Sequence, residues 1–280
     1  MNPRDLLIGI LVPGIVAATI LFFAWKLASS AARRDKSASA PAAAIAVSLG
    51  SLAGFCALFG WNYRPVESWL WMIWVFPALA LLGALEARAS STFLVAALLR
   101  IAACGVAMGL VLRKLILHAG PGVDTNRLAL YVGTPVIAIS LWRSVFPFLS
   151  AGVGSAALWM VSTASAVMVL LAHSMKLAQI GGALAGTLGA LIVACLLRPS
   201  VKGLAGALTP VAVILSCLVF LSLEYSSMGY SVWLFALVGL APALGVLPFV
   251  KKPWMKIALI AVPIAIAVAL SFRTYDTSAL

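Results

Sequence analysis

The chain of 280 residues is 64% hydrophobic and only 9% charged, and its mean hydropathy is +1.14. Soluble domains typically carry about 25% charged residues, so this composition excludes a soluble globular protein and predicts one whose solvent is lipid. The net charge of +12 does not indicate nucleic-acid binding, because the basic residues cluster at the ends of apolar runs, as topology determinants and contacts for membrane lipid headgroups do.

Apolar runs near 20 residues long, separated by short charged segments, follow one another along the chain. A helix needs about 20 apolar residues to cross the hydrocarbon of a bilayer, and runs without strict apolar–polar alternation favour helices over a β-barrel. The first run, Leu6–Trp25, exceeds the apolar core of a secretory signal, which predicts a retained spanning helix. Nine further spans are predicted at Ala42–Gly60, Trp69–Leu85, Phe93–Leu112, Leu128–Leu149, Gly152–Ala172, Ala178–Leu197, Gly203–Leu223, Val232–Val250 and Ile257–Phe272. The predicted fold is all-α: a polytopic transmembrane bundle of about ten spanning helices, forming one integral-membrane domain over residues 1–280.

The distribution of Lys and Arg predicts the orientation of this bundle. Of the 19 basic residues, 11 fall in one set of alternate loops and 7 in the other, which leaves Arg100 inside a span. Basic loops are retained on the cytoplasmic side, so a multi-pass protein of the cell membrane with both termini outside is predicted. Arg113 and Lys114 belong to the less basic set and argue against this orientation.

Two stretches of the chain, 42–112 and 203–272, share a spaced pattern that suggests a weak parallel repeat. The second, third and fourth spans would then correspond to the eighth, ninth and tenth, as in some transporters. Chance alignment in a chain so rich in Ala and Leu is the alternative. The recurring positions are Cys56-Ala-Leu-Phe59, Tyr63, Trp69 and Pro77, matched by Cys217-Leu-Val-Phe220, Tyr225, Trp233 and Pro242.

Arg100 is the most informative single residue. Only 12 residues separate it from Arg113, about 18 Å of helix, so Arg100 must lie at some depth within a span. An arginine there is costly unless it is paired or reaches water. It is therefore a candidate substrate contact, and the alternative is that it snorkels to the headgroups or bonds helix carbonyls. Pro77 and Pro242 are further candidate substrate-binding residues, because a proline within a helix frees a carbonyl that can coordinate a solute.

Other polar residues receive structural interpretations. Glu86 and Glu224 lie at helix ends, where a solvated headgroup position is expected and a role in proton or cation coupling is the alternative. Arg143 is expected to snorkel by one turn towards the interface. His118 and His173 are expected to be interfacial rather than haem ligands, and no cofactor is predicted.

Small-residue motifs predict close helix packing and an oligomer mediated by helix contacts. They occur at Gly50–Gly54, Gly105–Gly109 and Gly182–Gly186. The four cysteines, which fall inside apolar runs without close pairing, predict neither a disulfide framework nor a metal site. No metalloprotease, Walker or nucleophile-elbow motif is present, so no catalytic residue is predicted and enzyme activity is left undecided, with the balance against it.

Three functions are compatible with the sequence. The favoured one is a small transporter or permease for an unidentified small-molecule solute, given short loops, kinked spans and Arg100. The alternative is a non-catalytic scaffold or a subunit of a larger membrane complex, and a lipid-modifying enzyme is third. Span count alone links this chain to small exporters, and that analogy carries no residue motif.

Overall fold

A computed structural model describes residues 3–30, 39–61, 65–89, 92–114, 125–172, 174–197, 201–225 and 232–278. Within these ranges the chain forms ten α-helices, two short 3-10 segments and no strands. The helices are α1 (Pro3–Ser30), α2 (Ser39–Phe59), α3 (Met72–Arg88), α4 (Phe93–Val111), α5 (Thr125–Val145), α6 (Ala151–Leu171), α7 (Met175–Leu197), α8 (Val201–Tyr225), α9 (Val232–Leu244) and α10 (Pro253–Ser278). The 3-10 segments are Ser68–Trp71 and Phe146–Phe148.

The all-α polytopic bundle predicted from the sequence is confirmed. Nine of the described helices are long and apolar enough to cross a membrane, which makes the chain a multi-pass membrane protein. The tenth, α9, is shorter than the predicted span Val232–Val250, because it ends at Leu244 and turns follow it to Val250. Gly245 and Pro248, two residues that disfavour a continuing helix, account for this early end. The parallel repeat of 42–112 and 203–272 stays a prediction.

Helix α8 forms the centre of the bundle and α1 lies at its edge. In the spanning part of α8, 83% of residues are buried inside the protein, against 17% in α1. Helices α2, α3, α5 and α6 pack around α8. A helix that is apolar all round and buried on every side is the expected centre of such a bundle.

Glycines allow α2, α3 and α8 to approach one another closely at one end of the bundle. A Cβ added at Gly206 of α8 would overlap the carbonyl oxygen of Ala40 in α2. A Cβ at Gly83 of α3 would lie 3.2 Å from the Pro210 ring of α8 and 3.3 Å from the Ala44 methyl group. The backbones of α2 and α8 therefore meet at a distance that only glycine permits, and α3 packs on both helices through Gly83.

Two of the three small-residue motifs are used inside the bundle. A Cβ at Gly50 would overlap Thr187, and one at Gly186 would meet the carbonyl of Ile10, so these motifs hold α1, α2 and α7 together. By contrast, no described atom lies within 4 Å of a Cβ added at Gly105 or Gly109 in α4. Whether the faces with small-residue motifs mediate an oligomer stays a prediction.

Candidate functional site

Glu86 is a carboxylate at a core-facing position of α3. It belongs to a buried stripe with Leu79 and Gly83, spaced at helical intervals on one side of the helix, and its side chain has no exposed surface. The solvated headgroup position expected for Glu86 is therefore wrong. Its place near the end of α3 does not expose it, because the face of the helix that carries it is covered by α8.

Three side chains from three other helices bind the Glu86 carboxylate. Arg100 of α4 donates from Nε to Oε1 at 2.9 Å, and Thr209 of α8 donates from its hydroxyl to Oε2 at 3.0 Å. Arg143 of α5 donates from Nη2 to the same Oε2. We call these four residues the Glu86 cluster. It joins α3, α4, α5 and α8 through one buried group.

Local structure explains how each partner reaches Glu86. Only four residues of sequence separate the end of α3 from the start of α4, and Glu86 near the end of α3 lies beside Arg100, two turns into α4. Arg143 occupies the last turn of α5, where the helix dipole favours a positive charge. Thr209 precedes Pro210, whose ring packs on Gly83, one turn before Glu86.

The Glu86 cluster carries one negative and two positive charges, so its net charge is one positive. The Arg143 Nε is buried and has no hydrogen-bond acceptor among the described residues. The arginine side chains retain a little exposure, 13% for Arg100 and 17% for Arg143, whereas Glu86 retains none. At the edge of the cluster that is not covered by other residues, the charged side chains are therefore the two arginines.

The structure places the three predicted substrate-binding residues on three different helices, α4, α3 and α9. Arg100 lies within a span, as expected, and pairs with Glu86. Pro77 is nine residues before Glu86 on α3, about 14 Å away along the helix. Pro242 is near the end of α9, and neither proline is part of the Glu86 cluster. A substrate-binding role for Arg100, Pro77 and Pro242 stays a prediction.

Arg143 and its neighbour Trp142 make different contacts from those expected. The predicted snorkelling of Arg143 is replaced by its pairing with Glu86, because a buried carboxylate is costly without a cationic partner. The Trp142 indole donates to the carbonyl of Gly239 in α9 at 2.8 Å. The neighbouring carbonyl, that of Val238, would accept a hydrogen bond from the backbone N–H of residue 242 in a regular helix, but Pro242 has no N–H. Helix α9 is thus tied to the residue beside Arg143.

A second polar feature, an open cavity of about 520 Å³, lies at the opposite end of the bundle. Its volume is in the range of small-molecule sites. The residues that line it are Glu67, Ser68, Trp69, Lys114, Ser174, Met175, Lys176, Leu177 and Leu221. We call it the distal cavity. Lys114 lies 14 residues after Arg100, about 21 Å along a helix, so the cavity and the Glu86 cluster are separated by most of the bundle.

Glu67 and Lys176 form an exposed ion pair at the rim of the distal cavity, with 3.4 Å between Lys176 Nζ and Glu67 Oε2. The Trp69 indole also donates to Glu67. This hydrogen bond, followed by the nearby lysines, lowers the pKa of the Glu67 carboxyl from its ordinary value. Lys176 Nζ lies 4.9 Å from the centre of the Trp69 ring, a cation–π contact. The rim therefore carries a negative side chain, Glu67, and a positive one, Lys176, beside the Trp69 ring.

The remaining polar candidates do not join either feature. Glu224, at the end of α8, is half-buried and accepts a hydrogen bond from the Tyr131 hydroxyl of α5. His118 and His173 lie outside the described residues. Within the described part of the chain, no three His, Cys, Asp or Glu side chains form a group that could hold a metal ion.

The sequence contained a partial indication of the Glu86 cluster. Arg100 was recognisable because it interrupts an apolar run, and Glu86 precedes it by 14 residues across a short connection. Arg143 also lies inside a predicted span, Leu128–Leu149, but its pairing with Glu86 could not be predicted, nor could that of Thr209. Both come from helices whose position beside α3 is a tertiary property.

Comparison of the chain with known protein families found no match, and comparisons with curated proteins and with solved structures found none either.

Proposed function

We propose that this protein is a small membrane transporter or permease, with a solute path between α3, α4, α5 and α8. The observation that carries the proposal is the buried Glu86 carboxylate, shared by side chains from three other helices. Ionisable groups within membrane-spanning segments are costly, and they commonly mark the paths of ions and substrates.

The distal cavity supports the same function. It is lined partly by residues beside α3 and α4 and by Leu221 of α8, and these three helices also contribute to the Glu86 cluster. Two polar features at opposite ends of one group of helices, separated by apolar packing, fit a path that opens to one side at a time.

A non-catalytic scaffold or subunit of a larger complex is the second candidate. It is favoured by the open space around Gly105 and Gly109 of α4, which leaves a small-residue face without a partner in the described residues. It does not account for two arginines around one carboxylate, because a single neutral ion pair or apolar residues would join the helices at least as well.

Arg100→Ala tests the transport proposal. Metabolites are compared inside and outside cells that lack the gene, or that express the wild type, Arg100→Ala or Arg88→Gln. Glu86 keeps Arg143 and Thr209 in the Arg100 variant, so folding is expected to survive while transport falls about tenfold or more, the equivalent of one lost charged hydrogen bond. Arg88 is exposed at the end of α3, and its variant removes the same charge outside the cluster.

The expected result is a solute whose distribution is restored by the wild type and by Arg88→Gln, and not by Arg100→Ala, at equal amounts of folded protein in the membrane. If no solute depends on the protein in cells that contain it at verified levels, the transport proposal is contradicted and the scaffold gains.

A further inference from the structure

We infer that the Glu86 cluster is an oxyanion site, in which Arg100 and Arg143 hold a phosphate or carboxylate group. The assignment of that anion as the transported solute rests on the proposed transport function. The site itself rests on the charge, hydrogen bonding and exposure of the cluster.

The charge of the cluster favours an added anion. Glu86 neutralises one of the two guanidinium groups and leaves one positive charge within the bundle. Such a charge is unfavourable in a medium of low dielectric constant unless it is paired. A singly charged oxyanion at the arginines, such as one carboxylate or a phosphodiester, would bring the cluster to neutrality, whereas a cation would increase the excess.

Hydrogen bonding favours the same ligand. A guanidinium group carries five N–H donors in a planar fork that matches carboxylate and phosphate oxygens. Glu86 accepts from Nε of Arg100 and from Nη2 of Arg143, and Nε of Arg143 has no acceptor among the described residues. The two guanidinium groups therefore converge on one point while donor capacity remains.

The exposed surface of the Glu86 cluster belongs to its two arginines. Glu86 is closed off completely, while Arg100 and Arg143 keep 13% and 17% of their side-chain surface. An anion that approaches this edge meets the arginines before it meets Glu86. In this arrangement Glu86 is a positioning residue that holds both guanidinium groups together.

The same chemistry could come from a free anion or from the headgroup of an anionic lipid. Both present an oxyanion to the arginines, and the residues at the site do not distinguish them. The test therefore offers the two sources separately.

The experiment measures anion binding by purified protein in an uncharged detergent. Thermal unfolding is followed by tryptophan fluorescence while inorganic phosphate, citrate or phosphatidylglycerol is added, with chloride used to match the ionic strength of the soluble anions. The proteins are the wild type, Arg143→Gln, Arg143→Lys and Arg88→Gln. We expect phosphate or citrate to stabilise the wild type and Arg88→Gln, with affinity about tenfold or more weaker in Arg143→Gln and intermediate in Arg143→Lys.

Each outcome separates the alternatives. If stabilisation by phosphate or citrate depends on Arg143, the site binds a free anion. If only stabilisation by phosphatidylglycerol depends on Arg143, the oxyanion site is supported and the assignment of the anion as solute is overturned. Equal responses of the wild type and Arg143→Gln to all three probes overturn the site. Should Arg143→Gln fail to fold, Arg100→Gln provides the same test, because Glu86 then retains Arg143.

The result is independent of the transport experiment. Binding that depends on Arg143, without any transported solute, would contradict the transport proposal and leave the oxyanion site intact. Transport that depends on Arg100, without anion binding, would contradict the oxyanion site alone.

Discussion

Glu86 is the residue on which the balance of charge inside the bundle depends. Two arginines donate to its carboxylate. The carboxylate has no exposed surface, so water does not reach the position where it accepts their hydrogen bonds. Removing one partner from a buried ion pair is strongly destabilising, because the remaining charge stays in a poor solvent. Loss of Glu86 would leave two such charges beside each other.

The replacement Glu86→Gln is expected to destabilise the protein by about 3–5 kcal/mol. Unfolding in a mixed-micelle denaturant titration, followed by tryptophan fluorescence, measures this change. Glu67→Gln is the matched control, since 54% of the Glu67 side chain is exposed and surface ion pairs contribute under about 1 kcal/mol. Equal losses in the two variants would show that Glu86 is not the counter-ion of the arginines.

At the scale of elements, the approach of α8 to α2 and α3 builds the site. Gly206 allows α8 to contact the backbone of Ala40, and Gly83 admits the ring of Pro210. Thr209 reaches Glu86 because of these contacts, although no feature of Thr209 itself indicates a functional role. The glycines thus act on the site indirectly, through the separation of helix axes.

The replacement Gly206→Ala is expected to destabilise the protein by about 1–3 kcal/mol or more, the usual cost of overpacking. The same denaturant titration measures it, and Gly105→Ala is the control. An added Cβ at Gly105 meets no described atom within 4 Å, and Ala favours a helix over Gly by up to about 1 kcal/mol. If Gly206→Ala were as stable as Gly105→Ala, the close contact of α2 and α8 would be incorrect.

At the scale of the whole molecule, the direction of α9 determines how many times the chain crosses the membrane. Its 13 residues correspond to about 20 Å of helix, less than the hydrocarbon thickness. Trp142 binds Gly239, and a Cβ at Gly245 would lie 3.1 Å from Leu149, which follows α5. The later part of α9 therefore lies beside the end of α5 and the segment that leads to α6.

We predict that α9 crosses and that, with the basic loops cytoplasmic, the distal cavity faces outwards. In intact cells whose Cys56 has been replaced by alanine, a membrane-impermeant maleimide should label Glu67→Cys and should label Lys252→Cys only after permeabilisation. Both positions are exposed, and a crossing α9 would place them at opposite ends of the bundle. The reverse pattern would overturn the orientation derived from Lys and Arg, and labelling of both in intact cells would overturn the assignment of opposite ends.

The sequence by itself determined the all-α membrane fold and the depth of Arg100, because hydrophobic length and the interruption of an apolar run are local properties. It indicated ten helical segments for the same reason. The end of α9 was the exception, because Gly245 and Pro248 end the helix at Leu244 although the apolar run continues. Only the tertiary structure decided that Glu86 is buried and that Arg143 and Thr209 meet it. Those contacts depend on which faces of four separate helices come together, and apolar composition alone cannot specify that packing.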